Sequence, residues 1–148
     1  GVLQSLGYVP EKEAIQEVVQ ECKLVSLPAL DIDNLAEFLS MYRMREGLTK
    51  AEVNEVEVAF SLYSAGNDGK LRALDIGKVL RWFGYNTVFE VQQQLLENVD
   101  VDKSGWLDLA ETKKLIRMYW EEQLKTMRAA FDQKMKGGSG LISAKQAV

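Results

Sequence analysis

Apolar residues recur at intervals of three and four positions through most of the chain, which is the spacing of helices that bury one face. Thr49 with Glu52 and Thr87 with Glu90 have the spacing of a capping box. Pro10 suits the first position of a helix, where no amide is needed. The pattern therefore predicts an all-α chain. The predicted helices span residues 10–22, 32–45, 50–63, 73–83, 87–99, 109–118 and 119–134, and the last two could be continuous.

The helical segments repeat along the chain. Gly7 and Leu30 recur at one common spacing as Gly84 and Leu107, each followed by the same residue type as before. This repeat and a second one of shorter period place a loop between successive helices, so tandem helix-loop-helix units are predicted. The eighth residue of each loop is apolar and would form the short strand through which paired units touch. The loops are 23–34, 64–75, 100–111 and 135–146, and their eighth residues are Leu30, Leu71, Leu107 and Ile142.

The loop 100–111 has an oxygen-bearing group at each position that a twelve-residue calcium loop requires. Gly105 occupies the sharp turn, and Glu111 ends the loop with a side chain long enough to bind calcium through both oxygens. An acidic surface turn is the alternative, but so many carboxylates without a cation would repel one another. Magnesium is another possible occupant. The predicted ligands are the side chains of Asp100, Asp102, Ser104, Asp108 and Glu111 and the main-chain carbonyl of Trp106.

The stretch from Phe60 to Leu115 contains Phe60, Gly69, Leu71 and the connector Gly84-Tyr85-Asn86, followed by the complete loop from Asp100. With these residues the stretch resembles a paired EF-hand lobe of the calmodulin superfamily. The resemblance implies that the lobe binds calcium and that calcium opens it to grip an amphipathic helix of a target protein.

The loop 64–75 departs from this pattern. Gly66 and Arg72 stand at positions 3 and 9, where oxygen ligands belong, and Asp75 replaces the long terminal glutamate. We expect this loop to be empty at ordinary calcium levels, although weak binding or a preference for magnesium stays open. Its expected role is to brace the loop 100–111 by pairing Leu71 with Leu107.

The two outer loops depart further. The loop 135–146 offers no carboxylate, and the loop 23–34 keeps only Asp31 and Asp33, which are expected to be solvated or to cap a helix. One competent site among four is therefore predicted. The residues of loop 23–34 that replace oxygen ligands or the turn glycine are Lys23, Val25, Leu27 and Pro28.

Soft and aromatic side chains on or near the exiting helices are candidates for a groove that receives a partner helix. The alternative for each one is ordinary burial in the core. Lys113, Lys114 and Arg117 are interpreted as a solvated helix face. The candidate partner-binding residues are Met41, Met44, Trp82, Phe83, Met118 and Trp120.

Composition narrows the function. With 47% hydrophobic residues among 148, the chain can bury a core, and its net charge of −4 disfavours a nucleic-acid partner. Cys22 is the only cysteine and the chain has no histidine, so no catalytic constellation is expected and the chain is predicted not to be an enzyme. The sequence has no candidate membrane span or signal peptide. A cytoplasmic location is expected, and association with the cytoskeleton stays open.

The phase of the repeat predicts three parts: residues 1–46, a degenerate hand preceded by the exiting helix of another; residues 47–118, a pair of hands; and residues 119–148, a partial degenerate hand. Either the chain belongs to a longer EF-hand polypeptide, or its two terminal half-hands complete one another.

Two functions remain: a calcium-responsive module that binds a partner helix, and a constitutive scaffold with little calcium switching. Regulation of an enzyme elsewhere in a longer polypeptide stays open.

Overall fold

Seven helices and one pair of short strands form the part of the chain that the computed structural model describes, residues 1–100 and 102–136. The predicted all-α architecture of helix-loop-helix units is confirmed, and the segments predicted at 109–118 and 119–134 form one continuous helix. A 3-10 turn, Ala73–Asp75, precedes the fifth helix. The helices are α1 (Val2–Ser5), α2 (Lys12–Glu21), α3 (Ile32–Met44), α4 (Lys50–Ser64), α5 (Ile76–Trp82), α6 (Phe89–Val99) and α7 (Leu109–Lys136), and the strands are β1 (Leu71–Arg72) and β2 (Trp106–Leu107).

The chain divides into two compact units, residues 1–117 and residues 118–148. The first unit contains a first hand, formed by α2, α3 and the loop between them, and a pair of hands that begins with α4. Most of the predicted loop 135–146, including Ile142, lies outside the described residues. Within the described ranges, every helix is too short or too polar to cross a membrane.

Of the two capping boxes predicted at helix starts, one is present and the other is absent. The Thr49 hydroxyl accepts a hydrogen bond from the Glu52 amide at 3.3 Å, and Glu52 accepts one from the Thr49 amide at 2.8 Å, so this capping box is confirmed. The predicted Thr87 box is wrong. The Gln92 side-chain amide donates to the Thr87 hydroxyl at 3.0 Å, and α6 begins after Val88 without a side-chain cap.

Pro10 also lies outside the helix that it was expected to start. The helix α2 begins at Lys12, with Glu11 as its cap residue, so Pro10 precedes the cap. Its fixed backbone angle suits the connection from α1, where Tyr8 turns back to donate its amide to the Leu3 carbonyl at 3.1 Å.

The first hand has its own apolar core, and Tyr42 is its largest fully buried side chain. The Tyr8 ring contacts Tyr42 edge to face at 5.2 Å between centroids, and Phe38 stacks on it at 5.8 Å. Such pairs add about 0.5–1.5 kcal/mol beyond the burial of area. The remaining buried residues of this core are Leu3, Ala14, Val18 and Leu24.

An ion-pair cluster ties the first hand to the start of α4. The Arg45 side chain is only 9% exposed and pairs with Glu17, at 3.2 Å, and with Glu21. Glu17 also accepts a hydrogen bond from the Lys50 amide at 2.8 Å. Because a buried guanidinium is costly unless it is paired, these contacts hold α2 against the segment that connects the two regions.

The two central loops pair through β1 and β2, which are antiparallel. Leu71 lies opposite Leu107, and both side chains are fully buried, which confirms the predicted strand contact. The Ala73 amide extends the ladder by donating to the Gly105 carbonyl at 2.9 Å. Leu30 differs from the prediction. It lies in no strand among the described residues, and half of its surface is exposed.

Candidate metal centre

The loop 100–111 curls tightly between the end of α6 and the start of α7. Lys103 and Gly105 have positive backbone φ angles of 52° and 76°, a conformation that glycine adopts without steric cost. The curl turns successive amides toward the centre of the loop. The predicted turn glycine therefore occupies a position that requires a left-handed backbone.

Three of the predicted ligands, Asp100, Asp102 and Trp106, converge around a fourth, Ser104. Its amide donates to Asp100 Oδ1 at 3.0 Å and to Asp102 Oδ1 at 3.1 Å, and its hydroxyl lies 2.9 Å from the Trp106 carbonyl. The Gly105 amide donates to the other oxygen of Asp100 at 3.0 Å. These groups occupy positions 1, 3, 5 and 7 of the loop. The sequence-predicted oxygens of the first half of the loop are therefore brought together.

The remaining two predicted ligands, Asp108 and Glu111, bond to each other at the start of α7. The Asp108 amide donates to Glu111 Oε2 at 2.9 Å, and the Glu111 amide donates to Asp108 Oδ1 at 2.8 Å. This is a reciprocal capping box. The predicted ligands thus form two hydrogen-bonded groups. In the residues that the structure describes, which leave out Val101, three or more acidic, cysteine or histidine side chains do not gather closely enough to hold an ion.

The chemistry of these groups nevertheless suits a hard cation. Hydrogen bonding with the Asp100 carboxyl, and then from Ser104, holds the pKa of Asp102 below its ordinary value, so Asp102 is ionised at neutral pH. Calcium and magnesium both prefer oxygen ligands of this kind. Residues 102 to 106 are exposed, so an ion has open access to this part of the loop.

The loop 64–75 uses its carboxylate differently. Asp75 is buried and accepts hydrogen bonds from Arg72 Nε and Lys78 Nζ, both at 2.7 Å. The Lys78 hydrogen bond, with help from Arg72, lowers the pKa of Asp75 although burial opposes the shift. Two side-chain cations therefore satisfy the carboxylate that stands where a calcium ligand would. Arg72 and Lys78 each lie three residues from Asp75, and this spacing is the sequence feature that could have revealed both ion pairs.

Contacts from α7 to the first hand were missed by the sequence analysis. Lys113 Nζ donates to the Met44 carbonyl at 2.9 Å, and Arg117 Nε pairs with Glu46 at 3.1 Å. The Arg117 guanidinium also lies 4.6 Å from the centroid of the Tyr8 ring. We refer to these five residues as the interhand contact.

The interpretation of this helix face as solvated is therefore wrong for Arg117, whose side chain is only 14% exposed, and Lys113 and Lys114 are half-buried. No local pattern could reveal the interhand contact, because its partners are 69 and 71 residues apart.

The six predicted partner-binding residues have different surroundings. Met41 packs against the core of the first hand, and Phe83 stacks on Tyr85 with centroids 6.0 Å apart. Met44 and Trp82 are the exposed members, and Met118 and Trp120 are half-buried. Trp82 lines an open groove on the outer side of α4. The other residues lining that groove are Asn54, Glu57, Val58, Ser61 and Leu62.

Helix-loop-helix units that pair through antiparallel strands, with an acidic loop between helices, are the architecture of EF-hand proteins, and the fold of this chain is consistent with that class. No family model matches the chain. It is 27% identical over 115 residues to calcium-binding protein CML19 of Arabidopsis thaliana. The match covers 78% of this chain and 66% of the relative, just under two thirds of its length. The fold and this similarity together support a calmodulin-like EF-hand protein.

Proposed function

We propose that the chain binds one calcium ion in the loop 100–111 and responds to it by changing its contacts with a partner protein. The convergence of Asp100, Asp102 and the Trp106 carbonyl around Ser104 carries this proposal, because it places four oxygen-bearing groups on one side of a curled, exposed loop. Magnesium is the competing ion, and the bidentate Glu111 favours calcium over it.

Each ligand has a distinct part in the proposed site. Asp100, Asp102 and Ser104 supply the first side-chain oxygens, and Trp106 supplies a carbonyl. Glu111 would supply the last carboxylate, and to do so it would have to release the Asp108 amide, from which it accepts a hydrogen bond at 2.9 Å. Asp108 contributes directly or through water. Loss of the hydrogen bond between the Asp108 amide and Glu111, at the start of α7, is the step that would couple ion binding to that helix.

The loop 64–75 is proposed to act as a metal-free brace. Arg72 and Lys78 satisfy Asp75, so this loop has less to gain from a cation. Its strand fixes the neighbouring loop through Leu71 and Leu107, whose burial excludes water from the pairing. A preformed brace lowers the ordering cost of binding an ion next to it.

The calcium response would travel along α7. Lys113 and Arg117 follow Glu111 by two and six residues in the same helix, and they contact Met44 and Glu46. A rotation at the start of α7 would therefore disturb the interhand contact. Met44 is already 64% exposed and lies at that contact, so it is the candidate groove residue most directly affected.

An amphipathic helix of a target protein is the proposed partner. The net charge of −4 favours a basic helix, and exposed Met44 and Trp82 offer adaptable apolar contacts. Met41 contacts the first-hand core, which favours the core alternative for that residue. We propose a binding module and no enzymatic activity.

Calorimetry of Glu111→Gln tests the metal site. The variant keeps the shape of the side chain but removes its charge, so the tightest calcium event should disappear. Glu122→Gln, the same change at an exposed position of α7, should titrate like the unaltered chain. Trp106 fluorescence, isolated by comparison with Trp106→Phe, should follow the same ion. An unchanged titration for Glu111→Gln would refute the assignment.

A constitutive scaffold is the second candidate function. Two observations favour it: the Glu46–Arg117 pair joins the first hand to α7 through protein groups alone, and Arg72 and Lys78 neutralise Asp75 within its own loop. In that case calcium adds stability by mass action without a change in contacts. Binding of a hydrophobic dye and of a basic amphipathic helix peptide, compared with calcium and with chelator, separates the two. A large difference supports the calcium-responsive module, and equal binding supports the scaffold.

A further inference from the structure

Thr112 is a fully buried polar residue that directly follows Glu111, the last proposed ligand. Its hydroxyl donates to the Asp108 carbonyl at 2.8 Å, and its amide donates to the same carbonyl at 3.0 Å. A buried hydroxyl is costly unless it is hydrogen-bonded, so this contact is an integral part of the fold. One residue therefore holds the carbonyl of Asp108 with two donors.

Asp108 is bonded to the first turn of α7 through three different groups. Its amide donates to Glu111 Oε2 at 2.9 Å, and its carboxylate accepts from the Glu111 amide at 2.8 Å. Its carbonyl accepts from Thr112. The bond to Glu111 Oε2 is the one that calcium binding would remove, because that oxygen would turn to the ion. The bonds from Thr112 use no proposed ligand oxygen, so they can persist when the ion is bound.

A hydroxyl at this position distinguishes the loop 100–111 from the other three loops. After the loop 64–75, the same position is occupied by Ile76, which is 1% exposed. An apolar β-branched side chain thus fills the equivalent buried site, so packing alone does not require a hydroxyl there. The hydroxyl occurs only after the loop that has a full set of ligands. The residues that follow the four loops are Leu35, Ile76, Thr112 and Ala147.

The bond from the Thr112 hydroxyl gives the helix itself no advantage. A threonine hydroxyl that bonds the carbonyl four residues earlier slightly destabilises a helix and often bends it. Burial of a hydroxyl also contributes less than burial of a methyl group. The hydroxyl is therefore better explained by the group that it holds, the Asp108 carbonyl, than by the stability of α7.

We propose that Thr112 is a positioning residue for calcium binding. Its hydroxyl holds the Asp108 carbonyl, and with it the start of α7, while Glu111 exchanges the Asp108 amide for the ion. Glu111 can then reach the ion by turning its side chain on a backbone that is already in place. Without the hydroxyl, binding would also have to order that backbone, which lowers the affinity. The inference rests on the proposed calcium site and adds a residue outside its ligand set.

Calcium titration of Thr112→Val and Thr112→Ser tests the proposal. Valine keeps the shape of the side chain without the hydroxyl, so the calcium dissociation constant should rise about fivefold, the value of one typical hydrogen bond. Serine keeps the hydroxyl but loses a buried methyl group. Its dissociation constant should stay within about twofold of the original, while urea unfolding in chelator should show a less stable fold. A merely structural residue would instead lose affinity in step with stability.

Thr126 provides a matched control on the same helix. Its hydroxyl donates to the Glu122 carbonyl at 3.0 Å, at an exposed position. Thr126→Val should therefore titrate like the unaltered chain. If valine disturbs the fold at position 112, Thr112→Ala and Thr112→Ser still differ by the hydroxyl alone. The alanine variant should then bind calcium about fivefold more weakly than the serine variant.

Glu111→Gln separates failure of this inference from failure of the calcium site. Loss of the calcium event in Glu111→Gln, together with unchanged affinity in Thr112→Val, overturns the positioning role alone. An equal loss of affinity in Thr112→Val and Thr112→Ser also overturns it, because the hydroxyl then makes no difference. A normal titration of Glu111→Gln overturns the calcium site and this inference with it. Circular dichroism in chelator confirms that each variant folds.

Discussion

The loops 64–75 and 100–111 share one scaffold but balance their negative charge in different ways. Each contributes one strand to the same ladder, and each buries its eighth-position leucine. In the first loop, Asp75 is held by two side-chain cations at 2.7 Å. In the second, Glu111 accepts a hydrogen bond from the Asp108 amide. The two loops therefore differ in whether the protein neutralises the carboxylate at position 12 with its own cations, and the proposed difference in calcium binding rests on that contrast.

The largest expected effect comes from changing position 12 in both loops. Glu111→Gln should weaken calcium binding on the order of 100-fold, because a bidentate charged ligand is lost. Asp75→Asn should leave calcium affinity within about twofold, because the brace keeps its strand. Calorimetry of both variants measures the contrast. A comparable loss of affinity in Asp75→Asn would show that the loop 64–75 also contributes to calcium binding, which contradicts the proposed difference between the two loops.

Without calcium, the order of the two variants should be reversed, so that Asp75→Asn lowers the free energy of unfolding more than Glu111→Gln does. Asp75→Asn should lower the free energy of unfolding by about 1 kcal/mol, a modest value because Arg72 and Lys78 are half exposed and their ion pairs are screened. Glu111→Gln should cost less, since glutamine can still accept from the Asp108 amide. Urea unfolding in chelator provides the measurement. Equal losses of unfolding free energy in the two variants would mean that Asp75 stabilises the fold no more than Glu111 does.

The contribution of Asp75 should also depend on pH. Because its cationic neighbours lower the pKa of Asp75 in the folded chain, unfolding takes up a proton between the folded and unfolded pKa values. The stabilisation is therefore complete above the unfolded pKa of about 4 and is lost as the pH falls through the lower folded value. The difference in unfolding free energy between the unaltered chain and Asp75→Asn should be constant from about pH 7 to 5 and shrink below about pH 4. A difference that grows on acidification would contradict this sign.

The smallest expected effect concerns the interhand contact. A double-mutant cycle of Glu46→Gln and Arg117→Gln should give a coupling of about 0.5 kcal/mol in chelator, because the pair is partly buried. The coupling should decrease in calcium if α7 moves. Glu122 and Lys125, an exposed pair at 3.9 Å on the same helix, should show no measurable coupling in either condition. Identical Glu46–Arg117 coupling with and without calcium would favour the scaffold.

Local chemistry was predictable from the sequence because its signals lie within a few residues of each other. The turn at Gly105 and the Thr49 capping box follow from local spacing, and the Leu71–Leu107 contact follows from the repeated position of the two leucines in their loops. The Thr87 box is absent because Val88, and not Thr87, is the cap residue of α6, and the Thr87 hydroxyl accepts a hydrogen bond from Gln92.

Long-range pairing was not predictable in the same way. Nothing near Arg117 in the sequence indicates that Glu46 will neutralise it, because tertiary packing of two helices brings them together. The same holds for Arg45 with Glu17 and Glu21. The exposure of Leu30 also depends on which other chain segment reaches its loop, and a pattern of apolar positions contains no information about that.

Gly47 connects the first hand to the pair of hands under a severe spatial limit. Its φ angle is +74°, and a Cβ at this position would lie 2.9 Å from the Tyr42 hydroxyl oxygen. Any larger side chain would therefore push the ring on which Tyr8 rests, and would also strain the backbone next to Glu46. Substitutions at this one junction should alter the relative orientation of the two regions even when every metal ligand is intact.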